Sequence, residues 1–337
     1  MGDPQGPAAR RVTIYDVASE AGVSPSTVSR AFSRPGRVSS ETGALIRSVA
    51  DRLGYRQQEI FRPEATMRHG ILGLAVSDIT NPFYFGVIRG AERAAAEAGL
   101  TLVVGDAYES AAAERQMLDR QLPVVDGLVI TSSRLSDTDL RGLARVKPVV
   151  VLNRYVRGLP CFVPDNIRGV KRAVEHLGEL GHTSIAYVAG PEASWADGMR
   201  WRALREATFE LGLTARRVGP IVPTVRGGAA ATVEVLRGRC TAVIAYNDLV
   251  GVGILKGLRA AGVDVPGQVS VVGFDDTLPA DLVVPGLTTV ASPALLLGRS
   301  GVQTLVAMGQ GARPRTDQAT VLPIRLVVRE STGPARP

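Results

Sequence analysis

Polar and apolar positions fall into three regimes along the chain. Up to about Gly54, apolar residues recur three or four apart among small and polar ones, the period of three short helices. A polar stretch, YRQQEIFRPEATMRHG, follows. From Ile71 onward, apolar runs of strand length alternate with longer amphipathic segments. ILGLAVSD, TLVVGD, DGLVIT and KPVVVLN form a first series, and GVIRGAERAAAEAG within it predicts a helix closed by Gly99. A second series begins near Asp165: IRGVKRAVEHLGELG predicts a helix, TSIAYVAG a strand and MRWRALREATFELG a helix. CTAVIAY, LVGVGILKGLRAAG and QVSVVGFDD then predict strand, helix and strand. Strands apolar along their whole length are buried on both faces, which implies parallel sheets covered by helices. Two such series in succession predict two similar α/β lobes. Ligands in open parallel sheets bind beyond the carboxyl ends of the strands, so VSD, VIT, VLN, VAG, AYN and GFDD mark a candidate cleft.

The front segment, TIYDVASEAGVSPSTVSRAF, has its own logic. Thr13 stands three residues before Asp16 in capping-box spacing. Val17 and Ala18 face inwards, and Ala18 is small because a second helix crosses there. Gly22 sits where the turn needs a positive φ. Ser24 caps the second helix and Pro25 takes its first position, where no N–H is required. Val28 and Ala31 pack back on the first helix, which leaves Ser26, Ser29 and Arg30 outward, with Pro25 at the exposed end. In a helix-turn-helix that end meets base edges in the major groove. Arg30 can donate a bidentate pair to guanine, and Thr13, Ser24, Thr27 and Ser29 suit phosphate oxygens. A third helix, SSETGALIRSVADRLG, is expected to bury Leu45, Ile46, Val49 and Leu53, with Glu41 favouring its start and Gly54 closing it.

Composition changes this picture little. A length of 337 residues suits two or three domains. The net charge of +7 leans towards an anionic partner, but residues 1–70 hold ten Arg against seven Asp plus Glu, so only +3 resides there. The local pattern, and not total charge, points to DNA. Cys161 and Cys240 are expected as two buried free thiols, and His69, His176 and His182 form no metal-ligand spacing with them. No cofactor is expected. The opening MGDPQGPAARR has no apolar core, so a signal peptide is not expected, nor is any apolar run long enough for a membrane helix. The expected location is the cytoplasm, at the nucleoid when DNA is bound. GVGILKG at 251–257 lies inside a helical pattern and is no phosphate loop. With no Walker motif, activated nucleophile or supported carboxylate pair, an enzyme is not expected.

The headpiece TIYDVASEAGVSPSTVSRAF with VSSETGALIRSVADRLGYR resembles that of the lactose/galactose repressor (LacI/GalR) family. The resemblance continues through SDITNPFY, VDGLVI, GHTSIAYVAGP, AYNDLVGVGILKGLRAAG, QVSVVGFDD and LTTV, and so covers nearly all of the chain. It implies an all-α helix-turn-helix headpiece joined to a two-lobed, periplasmic-binding-protein-like α/β core with parallel sheets. The protein would be a homodimeric transcriptional regulator, usually a repressor. It would bind a palindromic double-stranded operator and answer to a small-molecule effector, a sugar or sugar derivative. The implied organisation is a disordered tail at 1–11, a headpiece at 12–56, a hinge at 57–69, a core at 70–330 and a C-terminal tail at 331–337. LVVRESTGPARP lacks leucine heptads, so a dimer and not a coiled-coil tetramer is expected. A solute-binding protein of the same fold is the alternative, and the front motif counts against it.

Carried over residue by residue, base readout falls to Pro25, Ser26 and Arg30, with Arg37 nearby. Phosphate contacts fall to Thr13, Tyr15, Ser24, Thr27, Ser29, Ser39, Thr42 and Tyr55. Effector contacts fall to Phe83 and Tyr84 at the mouth of the first lobe, to Thr131 and Asn153 at strand ends, and to Arg200, Asn247 and Asp275 in the second lobe. Arg154, beside Asn153, either leaves room for an acidic ligand such as a sugar acid or is a surface charge. The hinge departs from the family pattern. Gln57 and Gln58 stand where Pro-Asn is usual, Phe61 where a small residue is usual, and Glu64 where a leucine enters the minor groove. A carboxylate repels phosphate and cannot wedge between bases, and Pro63 disrupts a helix beyond its first turn. Either Ile60 or Phe61 supplies the wedge from a remodelled hinge, or the hinge does not kink DNA.

Overall fold

The three N-terminal helices are too short to be stable singly, so a shared apolar centre has to hold them. In the computed structural model, which describes residues 13–33, 38–53 and 69–336, these are α1 (Ile14–Glu20), α2 (Pro25–Ser33) and α3 (Ser40–Leu53). Val17, Ala18, Val28, Ala31, Ile46, Val49 and Ala50 form the buried centre. The turn after α1 passes through Gly22 at φ +67°, a left-handed conformation in which a β-carbon is unfavourable. Thr13 donates from both N and Oγ1 to Asp16 Oδ2, each at 2.7 Å. Ser24 Oγ accepts from Thr27 N and Ser39 Oγ from Thr42 N, both at 3.2 Å, so each hydroxyl caps the helix that follows it. Leu45 departs from expectation, being 50% exposed. The inward stripe of α3 runs through Ile46, Val49, Ala50 and Leu53, and Leu45 lies outside that spacing.

This headpiece is one of two units; the other begins at residue 65. The larger unit contains two six-stranded sheets. The first runs β11-β5-β4-β3-β1-β2, from β1 (Ile71–Val76), β2 (Thr101–Asp106), β3 (Gly127–Thr131), β4 (Val149–Leu152), β5 (Cys161–Pro164) and β11 (Thr320–Leu322). Helices α4 (Phe83–Glu97), α5 (Ala111–Gln121), α6 (Asp137–Ala144) and α12 (Ala294–Gly309) belong to its lobe. The second runs β12-β10-β9-β8-β6-β7, from β6 (Ser184–Val188), β7 (Thr214–Val218), β8 (Ala242–Ala245), β9 (Ser270–Asp275), β10 (Thr288–Ala291) and β12 (Arg325–Val327). Its helices are α7 (Asn166–Glu179), α8 (Trp195–Glu210), α9 (Val225–Arg237), α10 (Asp248–Ala260) and α11 (Leu278–Leu282). Pairing is parallel except between β10 and β12, which is antiparallel. Cys161 and Cys240 are buried free thiols, one in each lobe.

The lobes are interleaved and not simply successive. The chain passes between them at 164–166, again at 291–294 and again at 322–325, because α12 and β11 return to the first lobe. α12 seats closely on α4: a β-carbon at Gly298 would run into the carbonyl of Val87. The segment expected as a C-terminal tail from 331 is instead built into the second lobe. Ser331 is fully buried, its Oγ donating to the Val271 carbonyl at 2.6 Å and accepting from Thr288 N at 2.8 Å. These bonds satisfy backbone groups of the central strands, which is why the segment is held. Among the described residues no helix is long and apolar enough to cross a membrane.

His182 fastens the same segment. Its buried ring lies 3.1 Å through Nε2 from the Gly333 carbonyl and 2.9 Å through Nδ1 from Thr241 Oγ1, which suits a neutral imidazole donating at Nε2. Burial holds its pKa below the ordinary 6.5. The unfolded chain therefore takes up a proton first as pH falls, and the stability contributed by neutral His182 is whole above the unfolded value and lost below it. His182→Ala is expected to cost about 1–3 kcal/mol near neutral pH. Urea unfolding repeated about two pH units lower should show a smaller cost; an equal cost at both pH values would rule out a neutral buried ring.

Candidate functional site

In the headpiece, α2 presents Ser26, Ser29 and Arg30 on its exposed side while Val28 and Ala31 are buried. Pro25 is the first residue of the helix. Ser24 Oγ lies 2.9 Å from Ser26 Oγ and 2.8 Å from Thr27 Oγ1, and Ser39 Oγ lies 2.7 Å from Thr42 Oγ1. Thr13 and Tyr15 are exposed at the start of α1. Each helix thus begins with a hydroxyl beside its first backbone N–H groups, a donor-rich chemistry that matches phosphate oxygens. Arg37, Tyr55 and the hinge positions Ile60, Phe61 and Glu64 lie outside the described residues.

In the core, the strand ends bring polar groups together. Thr131 ends β3, Asn153 follows β4, Asn247 follows β8 and Asp275 ends β9. Backbone strain gathers at the same places. Ser132 (φ +52°), Asn153 (φ +57°), Asp275 (φ +109°) and Asp276 (φ +57°) are left-handed without being glycine. Such conformations persist only where surrounding contacts over-determine them, and they concentrate at binding sites. Asn153 Nδ2 donates to Ser132 Oγ at 2.9 Å, and Asn247 Oδ1 caps α10 by accepting from Val250 N at 2.9 Å.

Arg200 is deeply enclosed, at 3% exposure. Its Nε donates to Asn166 Oδ1 at 2.9 Å and its Nη1 to the Tyr246 carbonyl. Nη2 stands 3.6 Å from Asp275 Oδ1. The guanidinium carbon lies 4.1 Å from the Phe274 ring centroid and 5.5 Å from that of Tyr246, within cation–π range. Burial raises the Asp275 carboxyl, and Arg200 pulls it back. Asp248, one residue beyond Asn247, is pushed up to about 7 by burial and then by the charge of Asp275. Hydrogen bonds from Thr277 N at 2.7 Å and Thr289 Oγ1 at 2.6 Å oppose that shift.

The first lobe supplies a second enclosed pair. Arg134 donates to Glu109 Oε2 from Nε at 2.8 Å and Nη2 at 2.6 Å. Burial works against its charge, but the nearby Tyr246 phenol and Glu109 more than offset this and raise its pKa. Tyr84, raised first by its burial and then by Glu109 and Tyr246, donates to Ser77 Oγ at 3.0 Å. Pro82 and the preceding loop set the start of α4, yet Phe83 and Tyr84 do not line an open mouth. Both are buried, their rings edge to face at 5.1 Å, because the helix turns them into the first-lobe core. The exposed aromatic of that stretch is Phe85.

Arg154, expected to leave room for an acidic ligand, is engaged within the first lobe and offers no spare cation for an acid. Its Nη2 binds Asp137 at 2.6 Å and its Nη1 the Ser133 carbonyl at 2.9 Å. Arg134, Arg154 and Arg200 each face a carboxylate. By contrast, Thr131 Oγ1, Asn153 Oδ1 and Asn247 Nδ2 are buried with no hydrogen-bond partner. Each such atom costs about 1–3 kcal/mol, a cost that a ligand hydroxyl would remove. Reading the sequence missed Ser77, Glu109, Arg134, Tyr246 and Asp248. Ser77 and Tyr246 follow strand ends already marked as cleft, so position was the available signal; Glu109 and Arg134 sit in loops with no pattern.

Two family models match the chain: the bacterial regulatory proteins of the lacI family over residues 13–58, and the periplasmic binding protein-like domain over residues 174–332. The HTH-type transcriptional regulator DegA of Bacillus subtilis (strain 168) is 30% identical over 335 residues, covering 96% of this chain and 99% of that one. The regulator GalR of Escherichia coli (strain K12) is 32% identical over 329 residues, covering 95% and 96%. Among solved structures, the lac repressor dimer bound to operator and the anti-inducer ONPF matches with a TM-score of 0.70 at 26% identity, covering 96% of this chain and 100% of that one. The regulator CelR in complex with cellobiose matches with a TM-score of 0.70 at 30% identity, covering 95% and 100%. These relatives are regulators and not enzymes. With a helix-turn-helix in front, two interleaved lobes behind and relatives aligned along nearly its whole length, the chain belongs to the LacI family and is a DNA-binding transcriptional regulator.

Proposed function

We propose that this regulator is a repressor whose operator affinity is set by a neutral, hydroxyl-rich effector, a sugar or uncharged sugar derivative, bound between the lobes. The observation that carries the effector class is one of pairing: three arginines each face a carboxylate, while at the strand ends Thr131 Oγ1, Asn153 Oδ1 and Asn247 Nδ2 are buried without a partner. A sugar hydroxyl both donates and accepts, so it satisfies an orphaned Asn nitrogen or a Thr or Asn oxygen alike. A carboxylate or phosphate would need an unmatched cation, and the site offers none among these three. Thr131, Asn153, Asn247, Arg200 and Asp275 take the effector contacts, with Tyr84 and Phe83 behind them.

The headpiece, 12–56, reads DNA. Pro25 and Ser26 have little reach, so Arg30 carries most of the base discrimination, and Arg37 adds to it. Thr13, Tyr15, Ser24, Thr27, Ser29, Ser39, Thr42 and Tyr55 hold phosphates. Residues 57–69 form the hinge, and the core from residue 70 carries the effector and the dimer contact. Leu278, Leu282 and Val284 support the homodimer, since all three are exposed, Val284 to 87%, around one short helix. The protein acts in the cytoplasm, at the nucleoid when bound.

Selection of bound duplexes from a random library is expected to return a palindrome of about 16–20 bp, as two headpieces on one dimer require. On that site Arg30→Ala should cost about 1–3 kcal/mol and relax preference at one position of each half-site. Equal loss on unrelated duplexes would make Arg30 a phosphate contact. In the core, Asp275→Ala should leave operator affinity in the absence of sugar nearly as it was and abolish its change with sugar. A normal response in that variant would remove Asp275 from the effector site. Screening by thermal shift should find stabilisation by uncharged pentoses or hexoses; stabilisation by uronic acids or sugar phosphates alone would overturn the neutral class.

A further inference from the structure

The Arg200–Asp275 pair is tied to two of the three crossovers between the lobes. Asn166, which accepts from Arg200 Nε, is the first residue beyond the crossover at 164–166, and its Nδ2 donates back to the Pro164 carbonyl at 3.3 Å. Pro164 ends β5 in the first lobe, so the amide of one buried asparagine bridges the crossing. On the other side, Asp275 Oδ1 accepts from Ser292 Oγ at 3.3 Å, and Ser292 lies within the crossover at 291–294. The third crossing is linked to the first, for Asp165 N donates to the Leu322 carbonyl at 3.0 Å. Both relays end on the same ion pair, Arg200–Asp275.

We propose that Asn166 and Ser292 are positioning residues that pass the state of the Arg200–Asp275 pair to the crossovers on which the lobes turn. The inference rests on the cleft being the effector site. Only one or two residues separate the flanking elements at each crossover, so little slack separates the hydrogen-bonded side chain from the strand or helix it anchors. The Arg200–Asp275 contact is long, at 3.6 Å, and a hydroxyl that bonds to either partner has room to rearrange it. Any shift of the guanidinium pulls on Asn166, and any shift of the carboxylate pulls on Ser292. Two crossovers move together because one pair of charges, buried between rings, admits few arrangements.

Hydrogen exchange on the full-length protein, without DNA or sugar, tests this. Ser292→Ala should speed exchange at 291–297 and also at 165–169, each by about threefold or more, the effect of one lost hydrogen bond on local opening. Asn166→Ala should do the reverse, loosening 291–297 as well as its own segment. Asn166→Asp keeps an acceptor for Arg200 and should return 291–297 to the wild-type rate. Strands β1 and β8 should be unchanged throughout. Faster exchange confined to the mutated crossover, or spread equally over β1 and β8, would overturn the relay. The readout needs neither operator nor effector, so its failure is distinct from a failure of the proposed function, which the site selection and Asp275→Ala decide.

Discussion

A guanidinium buried to 3% exposure must be surrounded by acceptors and a counter-charge, because an unpaired charge in so dry a place costs several kcal/mol. Arg200 meets that demand with an asparagine amide, a backbone carbonyl, a carboxylate and two aromatic faces. Those partners come from α7, from the end of β8 and from the end of β9. The requirement thereby fixes how three elements of the second lobe converge, and it holds Asp275 in place at the end of β9. The left-handed φ at Asp275 lies within the same enclosure, while Asp276 beside it is held by Arg329 and Thr289.

The topology adds a second constraint. Because α12 and β11 return to the first lobe, the lobes are joined three times, and turning one against the other must strain all three joins together. Any coupling between cleft and operator is reciprocal: whatever the effector does to DNA affinity, DNA does to effector affinity. The headpiece uses cheaper physics. Ser24 and Ser39 cap the helices that follow them, and Thr13 holds Asp16 at the start of α1, while all three residues stay exposed at the surface.

Much of this was legible in the sequence, for reasons particular to each segment. ILGLAVSD, DGLVIT and CTAVIAY read plainly as strands because they are central and apolar on both faces. TARRV, which forms β7, did not, since an edge strand shows its polar residues to solvent. The three-residue strands β11 and β12 are too short to carry any period. Leu45 was placed inward on hydrophobicity alone, whereas the stripe beginning at Ile46 has the helical spacing.

The sequence by itself determined the class of the headpiece, the alternation of strands and helices, and the strand ends at which Thr131, Asn153, Asn247 and Asp275 lie. These follow from local periodicity and from the rule that parallel sheets bind at one edge. Only the tertiary structure decided which charges are spent on each other. Arg154 looked available for an acid until Asp137, 17 residues earlier in the chain, was found on its guanidinium. Glu109 and Arg134, the burial of Phe83 and Tyr84, and the return of the C-terminal segment to His182 were hidden for the same reason. Ion pairing and burial depend on proximity in space, and no spacing along the chain encodes contacts between residues that only folding brings together.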